Sequence, residues 1–208
     1  MKKNRLPQQI FLTGTDTDVG KTFIAALLCQ GLKAHYFKPI QSGNPHDKTW
    51  IQSITNLPSS FFHPETYLLK TPLSPHAAAE IDNIEIEMDQ IHLPKIGTNP
   101  LIVEGCGGVL VPLNKKKDLV IDLMKKFNLP TIIVTRSSLG TINHTLLTIE
   151  ALKNRQIPIH GIIMNGPVNL SNKKAIETHG NIPVIAQIPH LNKITPETFK
   201  TLFKEHFV

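Results

Sequence analysis

Short apolar runs separated by helix-period segments constrain this chain more than any other feature. The runs are IFLT (10–13), AHYFKP (34–39), LIVE (101–104), TIIVT (131–135), GIIMN (161–165) and PVIAQIP (183–189). Near-continuous Ile, Val and Leu mark strands buried on both faces, as in parallel sheets. Between them, residues 21–33, 118–128, 141–155, 172–180 and 195–207 read as helices. This alternation predicts an α/β fold: a single doubly wound domain over 1–208, with a mostly parallel sheet flanked by helices. Residues 44–100 are richer in Pro and Ser and predict a helix or two plus a long surface excursion in the same domain.

Such a sheet collects ligands at the carboxyl ends of its strands, so polar groups at the ends of the runs are candidates for chemistry. After IFLT comes TGTDTDVGKTF (13–23). A strand, a tight turn and an amphipathic helix beginning at Lys21 would aim backbone N–H groups and a helix dipole at an anion. Gly20 permits close backbone approach. Lys21 can reach β- and γ-phosphates, and the Thr22 hydroxyl can join a magnesium shell. The match to G-x-x-x-x-G-K-[S/T] fails at one place: Thr15 stands where the first glycine belongs, and the nearest upstream glycine is Gly14.

The other runs end in similar groups. Glu104 closes LIVE and is followed by Gly105-Cys106-Gly107-Gly108, the place of an acidic magnesium ligand in a P-loop domain. Lys38 follows HYF and suits a phosphate or other anion. Asp47 stands at a possible helix start, where it is either a metal ligand or a helix cap. RSSLGTINH follows TIIVT, and Asn165 closes GIIMN.

Composition removes other classes. A net charge of +6 invites a nucleic-acid reading, but the Lys and Arg are scattered and aromatics are 6%, without basic–aromatic interleaving. The basic balance suits anionic ligands such as ATP or carboxylates. No apolar run approaches the ~20 residues that span a bilayer, and the start lacks the apolar core of a secretory signal. These points predict a cytoplasmic protein with neither nucleic-acid nor membrane partners. Cys29 and Cys106 read as small buried hydrophobes.

Taken together, GTDTDVGKT, KPIQSG, SPHAAAE, VEGCGG and LGTINHTLLT resemble the dethiobiotin synthetase family across positions 10 to about 191. That family's loop has an extra residue and a threonine in place of the first glycine, as here. The resemblance implies a P-loop NTPase-like fold. It also implies ATP- and magnesium-dependent closure of a ureido ring on 7,8-diaminononanoate with carbon dioxide. It implies that Thr17, Asp18, Val19, Gly20, Lys21 and Thr22 wrap the triphosphate, and that Thr22, Asp47 and Glu104 hold magnesium. Lys38 and Ser42 would meet the γ-phosphate and the substrate carbamate. Asn165 would read adenine, with Pro189, His190 and Leu191 walling the base. Ser74, Pro75 and His76 would line the substrate site. The backbone of Leu139, Gly140, Thr141, Ile142 and Asn143 would hold the substrate carboxylate across a homodimer interface. The same resemblance makes Lys38, Lys21, Ser42 and Thr17 the catalytic set. A regulatory ATPase of the partitioning type is the alternative. It would place a signature lysine at position 16, where this chain has Asp16.

Overall fold

The computed structural model describes residues 5–191 and 193–208. Its main sheet has six strands: β1 (Gln9–Gly14), β2 (His35–Phe37), β5 (Leu101–Gly108), β6 (Thr131–Arg136), β7 (Ile159–Asn165) and β8 (Val184–Ile188). Their spatial order is β2-β5-β1-β6-β7-β8, and every pairing is parallel. Direction along the sheet reverses at β1, which pairs with β5 on one side and β6 on the other. This reversal is the switch point at which open α/β sheets bind ligands.

The period-two geometry of a strand sends alternate side chains to opposite faces. Ile10, Leu12, Ile102, Ile132, Val134 and Ile163 pack on one face with α1 (Lys21–Leu32), α2 (Asp47–Ile54) and α7 (Pro196–Phe207). Phe11, Leu101, Val103, Ile133, Ile162 and Met164 pack on the other with α3 (Pro75–Ile81), α4 (Val120–Phe127), α5 (Thr141–Asn154) and α6 (Leu170–Gly180). Both faces are covered, which is why these strands read as unbroken apolar runs.

Two expectations change. The helix after the loop is not amphipathic: α1 buries Lys21 and everything from Ile24 to Gln30. It lies between the sheet and α7, and IAALLC is apolar on all sides because α1 has no broad solvent face. The run 34–39 is not one strand. β2 ends at Phe37, and the chain leaves the sheet at Lys38-Pro39, where proline has no N–H to continue a ladder. It then forms β3 (Ile40–Ser42), which pairs in parallel with β4 (Tyr67–Leu69) as a second small sheet. Residues 44–100 hold α2, α3, β4 and two 3₁₀ turns. Among the described residues, no helix is long and apolar enough to cross a membrane.

Candidate active site

Strand register builds the site. Tyr36 lies abreast of Ile102 in the β2–β5 pair, and Leu12 abreast of Glu104 in the β1–β5 pair. Glu104, two residues beyond Ile102, therefore faces α1. Thr22 is the second residue of α1, and its hydroxyl donates to Glu104 Oε1 at 3.0 Å. Glu104 is 1% exposed. Lys38, just past β2, pairs with Asp47 and approaches Glu104 Oε1 at 3.5 Å. Asp47 is the first residue of α2, and its side chain is taken by Lys38 rather than by the helix N-terminus, so it is not a cap. Lys21 Nζ donates to the Asp16 carbonyl at 2.8 Å.

Two ammonium groups and two carboxylates are thus held in one partly enclosed place. The set is close to charge-balanced, which limits the several-kcal/mol cost of burying each ion. Burial pulls the Lys21 ammonium below its ordinary value despite Glu104. Burial also pulls on Lys38, but the Glu104 and Asp47 carboxylates outweigh it and hold that ammonium above the usual lysine range.

These groups line a cavity of about 570 Å³ together with Thr17, Asp18, Gly20, Ser42, Ser74 and Pro75. The Ser42 hydroxyl is buried without a hydrogen-bond partner, an unmet polar group on a ligand-sized space. Two side chains there were not anticipated. Gln41 bridges the wall, donating to the Ser42 carbonyl at 3.0 Å and accepting from the Asp47 N–H at 3.3 Å. Cys106 also lines the cavity, so only Cys29 is simply a core thiol.

The loop has its own supports. Gly20 has φ +92°, and a Cβ there would stand 2.0 Å from Asn165 Nδ2. No other residue type fits both that backbone and that neighbour. Asn165 donates to the Val19 carbonyl at 3.1 Å. Val19 turns its side chain into the core at 1% exposure, so only its backbone can face a phosphate. Arg136, at the end of β6, pairs with Asp16 at 3.1 Å. Residue 16 is therefore an acid tied to its own chain. Neither Arg136 nor Tyr36, described below, was singled out in the sequence, since an Arg or Tyr at a strand end carries no motif.

Other sequence-predicted residues lie away from the cavity. Asn165 sits beside the loop rather than on the cavity wall. Pro189, His190 and Leu191 follow β8 on the same rim, with His190 Nε2 3.7 Å from where a Gly166 Cβ would be. Leu139 to Asn143 do not line the cavity. Leu139 is fully exposed, and Gly140, at φ +92°, has nothing within 4 Å of a built Cβ.

Comparisons with known proteins show the family. A family model described as an AAA domain matches residues 8–198. The ATP-dependent dethiobiotin synthetase of Paramagnetospirillum magneticum is 45% identical over 93% of this chain and 93% of its own. The chain belongs to the dethiobiotin synthetase family. The synthetase of Rhodopseudomonas palustris strain HaA2 is 40% identical over 97% of this chain and 95% of its own. Family membership makes the chain an ATP-dependent ligase. Among solved structures, a ParA family ATPase from Chlorobium tepidum is similar in fold at TM-score 0.54 and 16% identity, covering 97% of this chain and 91% of that one. That likeness extends to the fold alone.

Proposed function

We propose that this synthetase-family chain carboxylates 7,8-diaminononanoate with carbon dioxide and closes the ureido ring of dethiobiotin, using ATP and magnesium. The observation that carries this reading is the convergence of Lys21, Thr22, Lys38, Ser42, Asp47 and Glu104 on one cavity. These residues come from several elements and lie up to 83 positions apart (104 − 21).

The donor set fits magnesium. Two carboxylates and a hydroxyl are hard oxygen ligands, and magnesium characteristically takes few protein ligands alongside substrate phosphates. Thr22, Asp47 and Glu104 would hold it, and Lys38 already occupies the neighbourhood of both carboxylates as a positive charge. When bound, the ion neutralises phosphate charge and orients the γ-phosphoryl group.

The chain's own residues then have little acid–base work. A substrate amine and carbon dioxide form a carbamate. The carbamate oxygen attacks the γ-phosphorus, ADP leaves, and a carbamic–phosphoric anhydride results. The second amine attacks the activated carbon, loses a proton, and inorganic phosphate departs as the ring closes. Lys21, Lys38 and the loop N–H groups of Thr17 to Thr22 hold the phosphates and offset the charge that builds between carbamate and γ-phosphoryl. Ser42, whose hydroxyl has no hydrogen-bond partner in its own chain, would meet the carbamate. Ser74 and Pro75, also on the cavity wall, would flank the diamine. Asn165 with residues 189–191 would form the adenine end.

Leu139, Gly140 and Asn143 are exposed around the start of α5, and the segment Leu139 to Asn143 does not line its own cavity. We place it at the substrate carboxylate of a second copy, in a homodimer.

Phosphate release from ATP tests the reading. Release should depend tightly on both the diamine and bicarbonate. Turnover indifferent to the diamine but responsive to DNA or lipid would replace the synthetase reading with a switch ATPase.

A further inference from the structure

Behind Glu104, on the side away from the cavity, stands Tyr36. It is 0% exposed and its hydroxyl donates to Glu104 Oε2 at 2.9 Å. The two carboxylate oxygens thus have separate duties. Oε1 takes Thr22 and Lys38 on the cavity side, while Oε2 is anchored in the interior. Tyr36 does not line the cavity. Its own position is fixed by β2 and by a flap over that edge strand. Phe62 forms a bridge with Tyr36, the His63 N–H donates to the Tyr36 carbonyl at 3.0 Å, and the Phe62 ring packs 6.4 Å from the Tyr36 ring.

We propose that Tyr36 is a positioning residue for the metal site: its hydroxyl locks the rotation of the Glu104 carboxylate so that Oε1 alone is presented to the cation. The inference rests on the reading of Glu104 as a magnesium ligand. Without the phenol, Oε2 becomes a buried acceptor with no donor, a costly arrangement. The carboxylate then turns to share its oxygens with Thr22 and Lys38, and the ligand geometry is lost. Hydrogen bonds to metal-binding carboxylates from residues one layer out set affinity in this way, and losing one weakens binding by about 10–100-fold.

The test is Mn²⁺ binding, followed by electron paramagnetic resonance in the presence of a nonhydrolysable ATP analogue, on wild type, Tyr36→Phe and Glu104→Gln. Tyr36→Phe keeps the ring and removes only the hydroxyl. It should bind Mn²⁺ about 10–100-fold more weakly, with metal-free affinity for the analogue unchanged. Unaltered Mn²⁺ affinity in Tyr36→Phe beside a loss in Glu104→Gln overturns the inference and leaves the metal site standing. Unaltered affinity in Glu104→Gln overturns the metal-site reading itself. A second readout needs no change at position 36. In protein labelled with 3-fluorotyrosine and carrying Tyr67→Phe, the remaining ¹⁹F resonance should shift as Mg²⁺ is titrated, and a resonance that ignores the metal counts against the proposal.

Discussion

The Thr22 hydroxyl donates to Glu104 Oε1 at 3.0 Å across 82 positions of chain. The contact ties the start of α1 to the fourth residue of β5, and it locates the phosphate loop over that carboxylate. The site is thereby a product of sheet register rather than of any local segment.

Lys21 and Lys38 are the two buried cations of the cavity. Alanine at either position should lower kcat by ~10²–10³, the range for losing one group that stabilises transition-state charge. The KM for ATP should move far less. Steady-state kinetics separate the two, and a Lys21→Ala variant that still forms product at the normal rate would remove its assigned role.

Gly20→Ala should be damaging for two reasons that are separable. A Cβ meets Asn165 Nδ2 at 2.0 Å, and the residue keeps φ +92°. Holding a non-glycine residue there costs on the order of 1–3 kcal/mol. Adding Asn165→Ala should recover part of the lost thermal stability, the part due to the clash. Full recovery in the double variant would show that the backbone angle carries no cost.

Burial, the largest effect on Lys21, holds its ammonium below the ordinary 10.5. The unfolded chain keeps its proton up to about that ordinary value. Charging Lys21 therefore costs stability at every pH below its folded value, and the cost is relieved as pH rises from there toward 10.5. Lys21→Met should accordingly lower kcat as far as Lys21→Ala does, while relieving the cost of this buried charge at pH 7. That advantage should shrink at pH 10. Urea midpoints at the two pH values read the result.

His35 Nδ1 and His63 Nε2 are 2.9 Å apart, with His35 stacked on Phe61 at 4.4 Å. Burial lowers both imidazoles from the usual 6.5, and His35 adds to the effect on His63. A base with a depressed folded pKa contributes fully above the unfolded value and loses that contribution as pH falls below it. Unfolding midpoints should thus drop between pH 7.5 and 5.5, and His63→Gln should flatten the drop. An identical profile in that variant would place the acid sensitivity elsewhere.

The main sheet was legible because each of its strands is an apolar run covered on both sides, and a glycine-rich, lysine-bearing turn announced the loop. β3 and β4 were not, because three residues such as Ile40-Gln41-Ser42 carry no period. The full burial of α1 was hidden by the same apolar density that marked it as a helix. At the site, Lys38, Glu104 and Thr22 could be read from where apolar runs stop. Asp47 was ambiguous, since a helix start suits a cap or a ligand equally, and its pairing with Lys38 argues only against the cap. Tyr36 was invisible because its role depends on facing Glu104 across two strands. Leu139 to Asn143 do not line the cavity, and their assignment comes from the family resemblance rather than from any local pattern.

The central claim is that ATP phosphorylates a carbamate within this cavity. Bicarbonate labelled with ¹⁸O tests it most directly, with mass analysis of the inorganic phosphate released as dethiobiotin forms. The account predicts one labelled oxygen per phosphate, carried over from the carbamate when the anhydride breaks. Dethiobiotin formation with unlabelled phosphate would contradict it.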